Sequence, residues 1–334
     1  MHMKRFAALF LALSLFCPLW ASAQEPLKEL VIAEPVHLTG YLPLYIAMHK
    51  GYFEEQGLKV SVVQATGGAH VTAVVSGDAW GVIGGVDSSA LGSQGSPDPI
   101  VGVVNCVNRA NVYLFAAKGL APASQSDEDL KAFLKGKTIV AGRYGGSPNL
   151  LTRYLLMKVG LDPDKDVTLL ENADASTVNA LIQMGQGQIG NGGEPQISDG
   201  IAAGIWEEPF YKFPDLGDFS YSVVGVKKST IDKDPETVQK FVNAMLKALK
   251  VVHENPDIAR EVLDIEFSTM TEAGKEASLK RAYEDHLWSQ DGWISQEAVE
   301  LDMDVLIQSG IYQGTYDYNE LVDMQFVQKG VIKE

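Results

Sequence analysis

The sequence predicts an α/β protein with two similar lobes, each built around a mostly parallel sheet. Short runs of β-forming residues alternate with segments of helical spacing, as in strand, helix, strand units. These units come in two sets along the 334 residues, of which 46% are apolar and 21% charged, an ordinary composition for a globular protein of about two domains. No long linker separates the sets, so we expect the chain to cross between the lobes within ordered strands.

The first residues have the pattern of a secretory leader. A basic start, KR, precedes an apolar run, and the small residues ASA end at Ala23. We expect a signal peptide of residues 1–23, cleavage after it and export to the periplasm. The alternative is a retained anchor, but the run is short for a membrane span. Cys17 follows the bulky Phe16, where a lipoprotein leader has a small residue, so we expect no lipid anchor.

Composition restricts the classes of partner and cofactor. The formal net charge is −16 at pH 7, and cleavage of the leader removes only positive charges, so the exported chain is more acidic still. Such a surface repels nucleic acid and anionic lipid, although the local field of a cleft can still attract an anion. Cys106 is the only cysteine after the leader, which leaves no internal disulfide and no cysteine metal cluster. We expect no metal, no cofactor and a buried thiol.

The first set of units contains strands predicted at 30–34, 59–64 and 81–85, each followed by a helix. The helix after the first strand has Pro43 in its first turn and stops before Gly51. Strands that alternate with helices in this way indicate parallel pairing.

The second set repeats the pattern. Strands are predicted at 138–142 and 167–172, and the run QIGNGGEP precedes a further helix. Segments 112–119 and 219–228 are the candidate crossover strands. The predicted first lobe is residues 24–115 and 222–334, and the predicted second lobe is residues 116–221.

From about Ser229 the sequence is helical. Asp234 and Pro235 form a helix start, and an apolar stripe follows them. Further helices are predicted at 272–285 and 295–309. We expect these C-terminal helices to pack on the first lobe.

A ligand site is predicted at the carboxyl ends of the strands, where the loops of an open α/β sheet meet. Each following helix offers unpaired backbone N–H groups and a positive dipole end, and glycine lets a ligand approach the backbone. In the first lobe the candidate ligand-binding residues are Thr39, Gly40, Tyr41, Gly67, Gly68, His70, Asp87, Ser88 and Ser89. Near the crossover and in the second lobe they are Arg109, Arg143, Gly145, Gly146, Ser147, Asn149, Asn191 and Glu194.

These candidates also have structural interpretations. Ser147 can cap a helix instead of binding a ligand. Arg109 and Arg143 are candidate cations for an anionic ligand, but an arginine in a loop is often a solvated surface group. Tyr41 and Trp80 can stack on a planar ligand or belong to the core.

Three runs carry a family resemblance that covers nearly the whole chain after the leader. They are PLYIAMHKGYFEEQGLKVSVVQATGG, LKGKTIVAGRYGGSPNLLTRYLLMKVGLDPDKDVTLLE and NALIQMGQGQIGNGGEP. In order and spacing they resemble the periplasmic solute-binding proteins of nitrate, taurine and alkanesulfonate uptake, the SsuA/THI5-like family. The resemblance implies a type II periplasmic-binding-protein fold that closes on a solute and presents it to the inner-membrane permease of an ABC transporter. It also implies a place at the cleft edge for the pair Glu194-Pro195.

The sequence departs from the family pattern at two matching positions. Members of the family usually have an aspartate three residues after the glycine that ends the second helix of a lobe. Here Trp80 stands at that position in the first lobe and Gln188 at the equivalent position in the second. The departure puts the usual assignment of ligand-binding residues in doubt.

The predicted function is a monomeric, exported solute-binding protein with no catalytic activity. The helix starts favour a small anion such as a sulfonate, nitrate or a carboxylate. A neutral heteroaromatic vitamin precursor, such as a thiamine pyrimidine, is the alternative ligand class. Two alternative functions remain: a ligand-sensing subunit, and an enzyme of thiamine-pyrimidine synthesis. The sequence lacks the cysteine-rich motif of that enzyme, and GGSPN is not a nucleophile elbow.

Overall fold

The computed structural model describes residues 26–331, so the predicted leader and its cleavage site lie outside the described residues. In this part of the chain, ten strands form two five-stranded sheets. The strands are β1 (Lys28–Glu34), β2 (Leu58–Gln64), β3 (Gly81–Gly84), β4 (Ile100–Arg109), β5 (Tyr113–Ala116), β6 (Thr138–Val140), β7 (Thr168–Leu170), β8 (Ile189–Gly192), β9 (Tyr211–Lys212) and β10 (Asp218–Lys227).

Helices cover both sheets and make up most of the last hundred residues. They are α1 (Leu42–His49), α2 (Tyr52–Glu55), α3 (Ala69–Ser76), α4 (Val86–Gly92), α5 (Asp127–Leu134), α6 (Ser147–Lys158), α7 (Val178–Gln183), α8 (Gln196–Ala202), α9 (Lys228–Lys233), α10 (Pro235–Glu254), α11 (Pro256–Glu266), α12 (Glu272–Glu284), α13 (Gln296–Gln308), α14 (Tyr318–Leu321) and α15 (Gln325–Val331). Among the described residues, no helix is both long and apolar enough to span a bilayer.

The two sheets have equivalent topologies. The first has the order β2-β1-β3-β10-β4 and the second the order β7-β6-β8-β5-β9. In each sheet, the strands that were predicted to alternate with helices pair in parallel. A single strand of each sheet is antiparallel to its neighbours. This strand is β10 in the first sheet and β5 in the second. Each of these reversed strands follows a strand of the other sheet. The prediction of two mostly parallel α/β lobes is confirmed.

The chain passes between the sheets twice, from β4 to β5 through residues 110–112 and from β9 to β10 through residues 213–217. The predicted crossover segments contain β5 and β10, whereas β4 was not predicted as a strand. The predicted lobe limits lie within a few residues of these passages. They stay a prediction, because pairing within two sheets does not establish which residues move together.

Local sequence explains how the C-terminal helices begin. The Asp234 side chain accepts a hydrogen bond from the backbone N–H of Thr237, and Pro235 fits the first turn of α10. Helix α10 packs on α1, α2 and β4 of the first lobe, as expected from its apolar stripe. Helices α12 and α13 also contact the second lobe, at α8 and α6 respectively.

Candidate functional site

A cleft lies between the two sheets at the carboxyl ends of their parallel strands. Its empty space is about 760 Å³ including the opening to solvent, and the centres of water molecules can occupy about 100 Å³ of it. Residues that follow β1, β2 and β3 line one side, and residues that follow β6 and β7, with the end of β8, line the other. The start of β10 also reaches the cleft, because this strand runs antiparallel to its neighbours.

Tyrosine rings form part of the wall on the first-lobe side. Tyr41 follows the loop after β1, and Tyr221 lies near the start of β10. Both side chains are buried, and burial raises the pKa of each phenol above its ordinary value. Both are therefore uncharged at neutral pH and offer an aromatic surface to a ligand.

His70 lies in the first turn of α3 and is only 2% exposed. Its ring packs against the backbone of Gly84, where a Cβ atom would lie 3.5 Å from Nε2. Burial and then the charge of Arg143 lower the pKa of His70 to about 4, so the imidazole is neutral at physiological pH. Its Nδ1 has no hydrogen bond of normal geometry among the described residues, although an interaction of the ring with the Ala65 backbone partly opposes the fall in pKa.

Arg143 brings a cation into the cleft from the loop after β6. Its guanidinium reaches across to the first lobe and lies over Gly68, where a Cβ atom would come within 3.5 Å of Cζ. Gly68 has a φ of 92°, a conformation that favours glycine. Burial lowers the pKa of Arg143, and the charge of Asp87 opposes this shift.

The lobes touch on both sides of the cleft. The Ser147 hydroxyl of the second lobe donates a hydrogen bond to Asp87 Oδ1 of the first lobe, at 3.1 Å. The backbone N–H of Thr39 donates to the carbonyl oxygen of Glu194, at 3.3 Å. These contacts define a closed arrangement of the two lobes.

Helix α12 adds a second group of contacts between the lobes. Arg281 Nε donates to Glu194 Oε1 at 3.1 Å, and its Nη2 donates to Glu208 Oε2 at 2.9 Å. The Tyr113 hydroxyl donates to Asp285 Oδ2 at 2.6 Å, and Lys212 forms an ion pair with the same carboxylate. Tyr113 and Lys212 adjoin the two chain passages. The end of α12 therefore contacts the second lobe close to the crossover.

Seven of the seventeen predicted site residues line the cleft. The predicted residues that line it are Tyr41, His70, Ser88, Arg143, Gly146, Ser147 and Asn191. The predicted residues that lie outside the lining but in the same loops or helix starts are Thr39, Gly40, Gly67, Gly68, Asp87, Ser89, Gly145 and Glu194.

Two predicted residues have other roles in the structure. Arg109 lies at the end of β4, outside the cleft lining, and pairs with Asp218. Asn149 has its side-chain oxygen bonded to Arg153 Nε at 3.0 Å and its amide directed at the Gly142 carbonyl oxygen, 3.4 Å away. These contacts give both residues structural roles, and their part in ligand binding stays a prediction.

The family departures at Trp80 and Gln188 lie away from the cleft. Both residues immediately precede a strand, so they lie at the amino ends of β3 and β8, opposite the edge where the cleft lies. Trp80 packs on Phe241, with ring centroids 5.0 Å apart, which also excludes the stacking role considered for it. Gln188 Oε1 accepts a hydrogen bond from the Thr138 backbone N–H at 2.7 Å. The absence of aspartate at these two positions therefore does not change the residues that contact a ligand.

Sequence reasoning missed part of the lining. Tyr221 and Ser222 lie near the start of β10, and Asn172 follows β7. The antiparallel direction of β10 would have placed its start at the cleft, but a single strand does not reveal its direction. Among the described residues, no group of three or more His, Cys, Asp or Glu side chains could hold a metal ion.

Comparison with known sequences gives a consistent set of relatives. A family model described as NMT1/THI5 like matches residues 39–259, about two thirds of the chain. YtlA of Bacillus subtilis, provisionally named a binding protein, is 30% identical over 314 residues, which cover 92% of this chain and 91% of YtlA. The riboflavin-binding protein RibY of Chloroflexus aurantiacus is 26% identical over 265 residues, 75% of this chain and 69% of RibY.

Solved structures share the architecture. The periplasmic nitrate-binding protein NrtA from Synechocystis superposes with a TM-score of 0.72 at 15% identity, covering 92% of this chain and 89% of NrtA. The alkanesulfonate-binding protein SsuA from Xanthomonas axonopodis, bound to MOPS, gives a TM-score of 0.71 at 18% identity, with coverages of 89% and 98%. At these identities the likeness shows the fold, which is the one predicted from the sequence.

Proposed function

Because the chain belongs to the NMT1/THI5-like family, we propose that it is the solute-binding component of an ABC importer. In this proposal it traps a small polar solute between two closing lobes in the periplasm and delivers it to an inner-membrane permease. The observation that carries the proposal is the cleft itself. It combines aromatic walls, a buried cation and a buried imidazole, and residues of both lobes contribute to it.

The mechanism follows from the position of these groups on different lobes. A solute that contacts Tyr41 and His70 on one side and Arg143 on the other gains its full binding energy only when the lobes are closed. Binding therefore shifts the population toward the closed form, in which Ser147 meets Asp87. The permease distinguishes the loaded protein by this shape.

Two solute classes suit such a cleft. The small anion favoured from the sequence has a cation available in Arg143. The neutral heteroaromatic class has support from the walls of Tyr41 and Tyr221, which can stack on a planar ring. RibY, by its name, binds a molecule of the second kind.

A thermal-shift screen of the mature protein tests the proposal. The panel contains sulfonates, nitrate, carboxylates and pyrimidines, and copurified ligand is first removed by unfolding and refolding. A solute at a hundred times its dissociation constant stabilises the native state by about 2.7 kcal/mol, which raises the melting temperature by several degrees. A double variant, Tyr41→Ala with Arg143→Met, should lose this shift. A panel without any stabilising compound would contradict the proposal.

A further inference from the structure

We propose that the solute is uncharged at neutral pH, and that the carboxylate of Asp87, held directly behind the cleft wall, is the group that rejects anions. This inference rests on the proposed function, because it concerns the charge of the molecule that the cleft takes. It favours the second of the two solute classes described above.

Asp87 lies behind residues of both lobes. It belongs to the first turn of α4, and its side chain is folded back over Gly85, where a Cβ atom would lie only 2.0 Å from Oδ1. The same oxygen accepts the Ser147 hydroxyl. Gly85 and Ser147 both line the cleft, while Asp87 is 1% exposed. The carboxylate is therefore separated from a bound solute by a single layer of atoms.

A second carboxyl group determines where the negative charge resides. Asp302 on α13 is fully buried and accepts hydrogen bonds from the Ser220 hydroxyl at 2.7 Å and from the Asp87 backbone N–H at 3.3 Å, both at Oδ2. Its Oδ1 has no partner among the described residues. Burial, and then the charge of Asp87, raise the pKa of Asp302 well above its ordinary value. The charge of Asp87 therefore opposes ionisation of Asp302.

The partners of Asp87 assign the charge to it. Burial raises the pKa of Asp87, but Ser147, the backbone N–H of Ser88 and the charge of Arg143 all oppose this shift. Asp302 accepts hydrogen bonds from the Ser220 hydroxyl and from the backbone N–H groups of Val86 and Asp87, which are uncharged donors. The proton therefore stays on Asp302, and Asp87 is the anion of the pair.

The charges at the cleft then cancel. Among the described lining residues, Arg143 is the positively charged one, because His70, with a pKa of about 4, is neutral. The charge of Arg143 is balanced by Asp87 across the wall. An anionic solute would face this carboxylate in a partly enclosed cleft, where charges interact more strongly than in bulk water. A neutral solute leaves the pair intact and can still bond to Arg143.

Matched solutes that differ only in charge test this inference on the wild-type protein. Suitable pairs are benzamide with benzoate, nicotinamide with nicotinate, methanesulfonamide with methanesulfonate, and pyrimidine-5-carboxamide with the carboxylate. Calorimetry at pH 7.5 should show that the neutral member of any binding pair has the lower dissociation constant, by at least about tenfold. Tighter binding of the anionic members would overturn the inference and leave the solute-binding proposal standing. If no member of any pair and no compound of the wider screen binds, both fail.

The variant Asp87→Asn tests the assigned residue. It keeps the shape of the side chain and leaves Arg143 without its counter-charge, so the anionic member of a pair should gain at least about tenfold in affinity relative to the neutral member. The matched control is Asp218→Asn, which removes the same charge from an exposed carboxylate outside the cleft and should leave the preference unchanged. An unchanged preference in Asp87→Asn would overturn the role of Asp87. If this variant does not fold, the wild-type comparison decides the charge of the solute.

Discussion

Asp302 is a buried carboxyl group whose pKa is raised by the fold. An unfolded aspartate releases its proton near pH 4, whereas the raised pKa of Asp302 delays release in the folded protein. A folded group that binds its proton more tightly than the unfolded group makes the protein less stable as the pH rises above about 4, until the folded pKa is reached. Asp302 therefore lowers the stability of the protein at neutral pH.

The variant Asp302→Asn tests this linkage. It removes the titration, so we expect it to be more stable than the wild type at pH 7, with a gain that grows as the pH rises from about 4. Urea unfolding from pH 3.5 to 7.5 measures the gain. Asp304→Asn, an exposed position on the same helix, is the control and should show no such trend. A gain that shrinks as the pH rises would contradict the assignment of the proton to Asp302.

Local sequence predicts some of the residues that line the cleft and misses others. Tyr41, His70 and Arg143 each follow a predicted strand, so the rule that loops gather at the carboxyl edge brought them together. That rule does not apply to Tyr221, because this residue lies near the start of a strand that runs in the opposite direction. The contact between Asp87 and Asp302 joins residues 215 positions apart, and nothing in either local sequence indicates it.

At the scale of elements, α12 has a function that its sequence does not reveal. The helix was predicted at 272–285, nearly its observed bounds, and in the structure the Thr271 side chain caps it by accepting a hydrogen bond from the Gly274 N–H. Its contacts with Glu194, Glu208 and Tyr113 depend on the second lobe, which sequence periodicity cannot place. Strand β4 was missed because a continuous apolar run has no alternating pattern to mark it.

We expect Arg281→Met to weaken solute binding without disrupting the first lobe. The change removes two hydrogen-bonded ion pairs to the second lobe, and Glu194 is left buried without its cation. Breaking a buried charged contact of this kind acts mainly on dissociation, so the dissociation constant of a solute found in the screen should rise about tenfold or more. Calorimetry measures this change.

The control for Arg281→Met is Lys280→Met, the neighbouring and exposed position on α12. It should bind the solute as the wild type does. Equal affinities for Arg281→Met and the wild type would show that α12 does not stabilise the closed arrangement.

At the scale of the whole molecule, the two lobes are linked by their sheets. The single reversed strand of each sheet is the one that arrives from the other lobe, so each passage ends in the middle of a sheet. The two connections are short, residues 110–112 and 213–217, and each leads into an inner strand of a sheet. The sequence predicted the two lobes and their crossovers, but the closed contacts needed the structure.

The distance between the lobes tests the central proposal, that a solute closes them, most directly. Cys106 is fully buried, so spin labels can be directed to introduced cysteines at exposed positions: Val63→Cys in the first lobe, 43% exposed, and Met184→Cys in the second, 62% exposed. A pair within the first lobe, Val63→Cys with Val75→Cys, is the control and should not change. Pulsed electron–electron double resonance measures the distribution of distances between the two spin labels. We expect this distribution to narrow to one shorter distance at saturating solute. An interlobe distribution that a saturating solute leaves unchanged would contradict the account.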